Sequence, residues 1–365
     1  MEQQMSNTQS NLQSNLQSNL QNNLQKNTEL QGYQLVRQDI GYQLKSTSAV
    51  RQELGPQDVR VQVKAVSLNA RDLMVLRGNY GDIPEGRTPL SDAAGVIEAV
   101  GSEVTDLKVG DRVITTFFAD WIKGPFQRAY GPSARGAESE GVLVKELVAP
   151  QHSLVRLPDY LTFEEGATLP CAAVTAWQAL FERGKPLTSA DTLMVQGTGG
   201  VALFGLQLAT AIGAKVIITS SSDEKLEKAL SMGAWKGVNY RTHPDWEQEV
   251  LRLTDARGVD QILELGGPDT FERSISCAAP GGKIAQIGVL TGFGTQPNLI
   301  RVLQGNLDLV GIAVGSREHQ TNLLSFMTEH KIHPILDRVF SLAEADDAFN
   351  YLESGQHLGK VVIAL

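Results

Sequence analysis

Leu193-Met-Val-Gln-Gly-Thr-Gly-Gly-Val-Ala202 decides the reading of this chain: an apolar run ends in glycines and a helix-forming segment follows. The run reads as a strand, the glycines as a tight turn and the rest as a helix start. Gly197, Gly199 and Ala202 keep the G-x-G-x-x-G/A spacing of a dinucleotide-binding turn. The first glycine permits the turn, and the second lets backbone approach a pyrophosphate. The small third residue lets the helix pack closely on the strand. Phosphates would then rest on free N–H groups at the helix N-terminus, around Gly200 and Val201.

Downstream, short apolar runs alternate with helices of about ten residues. Strands are expected at 193–196, 215–219, near 237–240, and at 259–265, 282–288 and 307–314. Helices are expected at 200–212, 223–232, 244–254 and 269–278. That alternation makes an α/β unit with a doubly wound parallel sheet. Upstream, Tyr33 to Pro150 reads as β-rich. Val59-Arg-Val-Gln-Val-Lys-Ala-Val66 alternates like a half-buried strand, Gly95–Gly101 is another, and Val109–Ile114 a third. Short strands with frequent turn signals suggest a partly open barrel. Residues 118–140 are expected to form a long loop, and 164–181 helices with Pro170 between them. The last 50 residues, ending in the strand Lys360–Ala364, look like a return to the first domain.

The first 30 residues differ from the rest. Gln9-Ser-Asn-Leu12 repeats as Gln13-Ser-Asn-Leu16 and Gln17-Ser-Asn-Leu20, then decays. A leucine every four residues drifts by about 40° per repeat around a helix, which buries little apolar surface. Residues 1–30 therefore read as a low-complexity, disordered or partly helical tail.

Composition excludes several classes. A net charge of -9 with no dense basic cluster argues against a nucleic-acid partner. No apolar run is long enough to span a bilayer, and no secretory signal pattern is present, so a cytoplasmic location without membrane contact is expected. Cys171 and Cys277, the two cysteines, make neither a disulfide framework nor a four-cysteine metal site.

Taken together, four stretches resemble the medium-chain dehydrogenase/reductase superfamily, in its zinc-free quinone oxidoreductase-like branch. They are Ser91-Asp-Ala-Ala-Gly-Val-Ile-Glu-Ala-Val-Gly101, Leu169-Pro-Cys-Ala-Ala-Val-Thr-Ala-Trp177, the glycine turn, and His357-Leu-Gly-Lys-Val-Val362. The resemblance covers residues 33 to 365. It implies a GroES-like β-barrel catalytic domain over 31–171, completed by 316–365, and a Rossmann NADP-binding domain over 172–315. It also implies a cleft between them.

The resemblance speaks against a metal. Asn69 stands where zinc-dependent relatives carry their first ligand cysteine, and Ser91 where they carry a histidine; Cys171 alone matches the third ligand. One thiolate cannot build the three-ligand open site that catalytic zinc needs. Cys171 is then expected to be a small, buried, inert residue.

The cofactor preference is read from the second strand. Relatives that bind a free ribose 2′-OH place an acid about 20 residues after the turn. This chain has Ile218-Thr-Ser-Ser-Ser-Asp-Glu-Lys225 there. Ser220 and Ser221 offer hydroxyls, and Ser221, Lys225 and Tyr240 match family positions that contact a 2′-phosphate. NADPH is therefore expected rather than NADH. Asp223 reads as an acid in the first turn of the next helix, and Lys225 has the plainer reading of a solvated helix lysine.

The resemblance further implies Thr175, Gly288, Val289 and Gly315 near the nicotinamide or pyrophosphate, with Gly359 and Lys360 bordering the cleft. Without zinc, developing negative charge must be met by hydrogen bonds. Asn69, Arg71, Asp72 and Tyr80 are the catalytic candidates. Asn69 offers an amide donor. Arg71 is either a donor to substrate or a paired charge. Asp72 reads as an orienting partner, and Tyr80 either protonates the product or walls the pocket.

The expected activity is metal-independent hydride transfer from NADPH to a small conjugated carbonyl compound such as a quinone, enone or enal. Alcohol–ketone conversion is the enzymatic alternative. A cofactor-binding protein without catalytic role, like the zeta-crystallins, is the alternative of another class. The apolar strand near Leu307–Val314 matches an edge that pairs across a two-fold axis in relatives, so a homodimer is expected.

Overall fold

The alternation in the first half produces the strands it suggests. In the computed structural model, which describes residues 31–48, 52–294 and 297–365, Val59, Val61 and Val63 are buried while Gln62 faces solvent. The low-complexity tail lies outside the described residues.

Strands β1 (Gly32–Arg37) and β2 (Tyr42–Thr47) form an antiparallel pair. A seven-stranded sheet is built around β3 (Asp58–Ser67), which pairs antiparallel with β4 (Asp92–Val100) and β6 (Glu146–Pro150). Beyond β4 lie β5 (Arg112–Thr115) and β7 (Leu154–Arg156). The strand expected at 109–114 begins three residues later, because Val109 is 59% exposed in the turn before it. A short helix α1 (Ala70–Leu76) follows β3 and was not evident from periodicity. Its start is written in Asn69-Ala-Arg-Asp72, since the Asn69 N–H donates to Asp72 Oδ2 at 2.7 Å.

Residues 163–182 form α2 (Phe163–Ala167), a wide turn, α3 (Val174–Trp177) and another wide turn. Pro170 sits at the opening of the first wide turn, where its missing N–H costs little.

The second sheet has the strand order β10-β9-β8-β11-β12-β13, all parallel. Its strands are β8 (Thr192–Gln196), β9 (Lys215–Ser220), β10 (Lys236–Asn239), β11 (Val259–Glu264), β12 (Ala278–Gln286) and β13 (Asp308–Gly311). The crossovers are α4 (Gly200–Ala211), α5 (Asp223–Ser231), α6 (Trp246–Leu253), α7 (Pro268–Cys277) and α8 (Leu299–Gly305). β8 and β11 are buried at every residue, as expected of a sheet covered by helices on both faces. The order reverses between β8 and β11, and the crevice beyond their carboxyl ends is the topological switch point. The last strand is shorter than 307–314 because Val314 takes φ 52°, which no strand tolerates.

The chain then returns. Helix α9 (Arg317–His330) leads to β14 (Leu336–Ser341), α10 (Ala345–Glu353) and β15 (Lys360–Ala364). β15 lies antiparallel to β3, with Val362 opposite Ser67. That pairing brings Lys360 beside the start of α1 and places Gly359 against the glycine turn.

Candidate active site

Gly197 turns the chain with φ 74°, and a Cβ on either Gly197 or Gly199 would meet nothing within 4 Å. Gly199 caps α4 without a side-chain hydrogen bond. The first N–H groups of a helix have no intrahelical partner, so this end offers donors into open space. The cradle therefore fits a pyrophosphate. Gly200 is required for another reason: its Cβ would stand 2.7 Å from Lys360 Cδ. Gly359 pairs with Gly199 and donates its N–H to Thr198 O at 2.9 Å, tying the C-terminal strand to the turn.

The end of β9 carries the residues assigned to a 2′-phosphate. Ser220 is buried and its Oγ accepts the Ser222 N–H. Tyr240 is half-exposed and donates its backbone N–H to Ser220 O. Lys225 is not the solvated helix lysine of the plain reading. Its Nζ donates to Gly355 O and His357 O, both at 2.8 Å, with a third N–H left over. Asp223 lies in the first turn of α5 and accepts from Asn239 Nδ2 at 2.7 Å.

On the other side of the crevice, Thr175 is buried and its hydroxyl donates to Cys171 O at 2.6 Å. Gly288 lies so close to the β11 end that a Cβ would meet Leu265 O at 2.2 Å. Val289 follows it, half-buried, against Gly267. A Cβ on Gly315 would strike Val174 Cγ1 at 2.6 Å. Gly315, just beyond β13, lies against Val174 of α3, while Gly288, just beyond β12, lies against the β11 end.

Two of the sequence candidates, Asn69 and Lys360, converge with Ser91 and Cys171 around one residue that sequence reading missed. Asp92 is fully buried, and its carboxylate accepts from Asn69 Nδ2 at 3.1 Å, Ser91 Oγ at 2.6 Å and Cys171 N at 3.1 Å. Lys360 supplies the counter-charge, donating to Asn69 Oδ1 and Leu68 O, both at 2.6 Å. Lys360 is only 3% exposed and lies beside the glycine turn. Burial pulls the lysine pKa down and pushes that of Asp92 up, each partly offset by the other's charge. Asn69 is pinned at both ends of its amide, and one N–H remains to donate.

Asp72 opens α1 beside Asn69. Its Oδ2 holds the Asn69 N–H, while Oδ1 is buried without a hydrogen bond. Burial raises its pKa to about 6, against the lowering effect of Arg71. Cys171 is half-buried rather than fully buried, and desolvation pushes its thiol well above the usual range, which keeps it protonated.

The Arg71 guanidinium lies over the rings of Tyr80 and Phe117, at 4.6 and 4.8 Å from their centroids. Its Nη1 donates to Arg135 O at 2.8 Å. Asp72 Oδ1 and Glu138 Oε2 each lie 3.7 Å from the guanidinium. Burial raises the Tyr80 phenol pKa, against the lowering charge of Arg71, so Tyr80 stays protonated at neutral pH. Behind them Phe117, Phe118, Trp121 and Tyr130 pack against Cys171 and Val314. Their loop is more ordered than expected. It includes a 3-10 turn at Arg128–Ser133, and Arg317 and Glu318 donate their N–H groups to Trp121 O and Ile122 O at 2.9 Å.

Asp92, Phe117, Arg135 and Glu138 carry no spacing signal. The stretch Ser91-Asp92-Ala-Ala held one clue, an acid beside small apolar residues at the buried start of a strand. Among the described residues, no three His, Cys, Asp or Glu side chains come together in a way that could hold a metal ion.

Comparison with known proteins places this geometry. The family model for the alcohol dehydrogenase GroES-like domain matches residues 55–159, and that for zinc-binding dehydrogenases matches 200–329. A zinc-type alcohol dehydrogenase-like protein of Schizosaccharomyces pombe is 41% identical, over 87% of this chain and 93% of its own length. A quinone oxidoreductase of Pseudomonas aeruginosa is 34% identical, over 85% and 92%. The crystal structure of a proposed alcohol dehydrogenase from Sinorhizobium meliloti superposes with a TM-score of 0.86 at 39% identity, covering 93% of this chain and all of the other. With its barrel-type sheet, its parallel nucleotide sheet and the glycine turn at their junction, this chain belongs to the medium-chain dehydrogenase/reductase superfamily and is an oxidoreductase of that superfamily.

Proposed function

We propose that the protein reduces a small conjugated carbonyl compound with NADPH and without a catalytic metal. The observation that carries this reading is the Asp92 cluster. Asn69, Ser91 and Cys171, which stand at the ligand positions of zinc-dependent relatives, all hydrogen-bond one carboxylate balanced by Lys360. An amide, a hydroxyl and a single cysteine are a poor donor set for zinc.

When bound along the glycine turn, the nicotinamide supplies the hydride. The chain supplies position, charge and dryness. The remaining Asn69 amide N–H and the Arg71 guanidinium are the donors available to a carbonyl oxygen as charge develops on it. A conjugated acceptor takes hydride at carbon and spreads charge to oxygen. The resulting enolate takes its proton from Tyr80 or from solvent. Phe117, Phe118 and Trp121 keep bulk water from that side. Ser220, Ser221, Lys225 and Tyr240 support NADPH, since hydroxyls and a cation suit a dianion.

Paired assays test this. NADPH oxidation should be faster with enals, enones or quinones than with the matching saturated carbonyls. Turnover of saturated ketones alone would favour the alcohol–ketone reading, which the alcohol dehydrogenase-like relatives suggest. NADPH binding without turnover of any carbonyl would favour the non-catalytic reading. Tighter NADH binding would reverse the cofactor preference, and stoichiometric zinc in purified protein would remove metal independence.

We also propose a cytoplasmic homodimer without nucleic-acid or membrane partners. Leu290, Phe293, Leu299, Ile300, Leu303 and Leu309 are all exposed along one segment ending at the edge strand β13, and a second copy would cover them. Both cysteines are free, which suits a reducing compartment, and among the described residues no helix is long and apolar enough to cross a membrane. A monomeric mass by light scattering would contradict the dimer.

A further inference from the structure

We infer that the preferred substrate carries a carboxylate, received by the side-on edge of the Arg71 guanidinium; this deepens the conjugated-carbonyl reading and rests on it. An arginine presents two flat faces and two edges. The Tyr80 and Phe117 rings lie against the guanidinium. One edge is used, with Nη1 on Arg135 O. The other edge consists of Nε and Nη2, whose parallel N–H groups match the two oxygens of a carboxylate. Both atoms are buried and neither has a hydrogen-bond partner. The whole side chain is 10% exposed.

Two buried donors on one edge without an acceptor are costly, and the surroundings do not remove the cost. Glu138 Oε2 is 3.7 Å from Nη2, beyond hydrogen-bond range, and its side chain is 40% exposed. It stands at the rim as a loose counter-ion that a ligand can displace. Asp72 Oδ1 is 3.7 Å from Nη1, on the edge already occupied. A plain ketone oxygen would satisfy one of the free donors. A carboxylate in the plane of the guanidinium satisfies both. The Tyr80 hydroxyl also reaches the guanidinium, as a neutral partner that a carboxylate can replace, and the protonated Cys171 thiol carries no charge to compete with an anion.

The test compares 4-oxopent-2-enoate with its methyl ester, and follows binding of the unreactive 4-oxopentanoate to NADP-loaded protein by calorimetry. The acid should exceed the ester in kcat/KM by roughly tenfold or more, the worth of a charge-assisted pair. Arg71→Lys keeps the charge but not the fork, and should erase most of that preference while leaving NADPH affinity unchanged. Glu138→Gln, a rim substitution, should raise affinity for 4-oxopentanoate several-fold by removing the competing acid. Equal use of acid and ester, with a ratio unmoved by Arg71→Lys, would overturn the inference and leave carbonyl reduction standing. If neither compound is reduced, the activity reading fails instead, and calorimetry alone decides. Wild-type binding of 4-oxopentanoate that Arg71→Lys removes supports the Arg71 site, and no wild-type binding overturns it.

Discussion

Lys283 and Lys360 are the two lysines buried among the described residues, at 1% and 3% exposure, and they do opposite work. Lys283, on β12, donates to three backbone carbonyls, Ala179 O, Arg183 O and Lys185 O, at 2.7 to 2.9 Å. No carboxylate touches it, and burial lowers its pKa to about 8. It closes the C-terminal end of the 163–182 helical segment onto the parallel sheet. Lys360 touches one backbone carbonyl and one side chain of the candidate site, beside the buried carboxylate of Asp92. The first lysine satisfies a helix end; the second balances a charge. Identical side chains thus become a structural staple or a site component according to whether carbonyls alone or a carboxylate surrounds them.

Removing each lysine should break the two sites differently. Lys360→Met leaves Asp92 buried and uncompensated, a loss of about 3–5 kcal/mol for a broken buried pair. Its turnover should fall roughly a hundredfold or more, because Asn69 loses its anchor. Adding Asp92→Asn should restore much of the thermal stability but little of the activity, as differential scanning calorimetry and steady-state kinetics would show. If Lys360→Met were as active as wild type, the carboxylate–lysine core would be structural only.

Lys283→Met should cost about 2–4 kcal/mol in denaturant unfolding, since three carbonyls lose their donor. Its kcat should stay within about twofold of wild type, as no site group moves. The sign of the pH effect follows from the lowered pKa. Between about 8 and the ordinary lysine value of 10.5 the unfolded lysine binds more protons than the folded one. Wild-type stability should therefore rise across that window relative to Lys283→Met. A flat difference would mean that the buried amine titrates normally.

Asp72 gives the smallest expected effect and has the opposite sign. Its folded pKa of about 6 lies above 3.8, so its stabilising share is present below 3.8 and is lost as pH rises through about 6. Asp72→Asn should gain stability relative to wild type over that range, while its amide oxygen can still accept the Asn69 N–H. Any inflection near pH 6 in the wild-type rate profile should vanish in the variant.

Much of the parallel sheet was legible because its signals are local. Strand 193–196, the turn at Gly197 and helix 200–212 are set by apolar runs, by a glycine with positive φ and by a small residue at Ala202. Helices α1 and α8 escaped notice because seven residues are too few for a 3.6-residue period to show. In the site, Asn69, Arg71 and Asp72 were legible as one motif, yet their roles were not. Whether Arg71 is solvated, paired or poised depends on Tyr80, Phe117 and Arg135, nine to 64 residues away. The plain solvated reading of Lys225 failed likewise, since its acceptors are 130 and 132 residues distant.

The sequence alone determined the strand–turn–helix cradle for a dinucleotide and the order of the two sheets, because each is written in neighbouring residues. Only the tertiary structure decided that Asp92 gathers Asn69, Ser91 and Cys171, that Lys360 is a buried counter-charge, and that one edge of Arg71 is free. Burial and pairing arise when β15 lies down beside β3, and no local pattern encodes which distant charge will be waiting there.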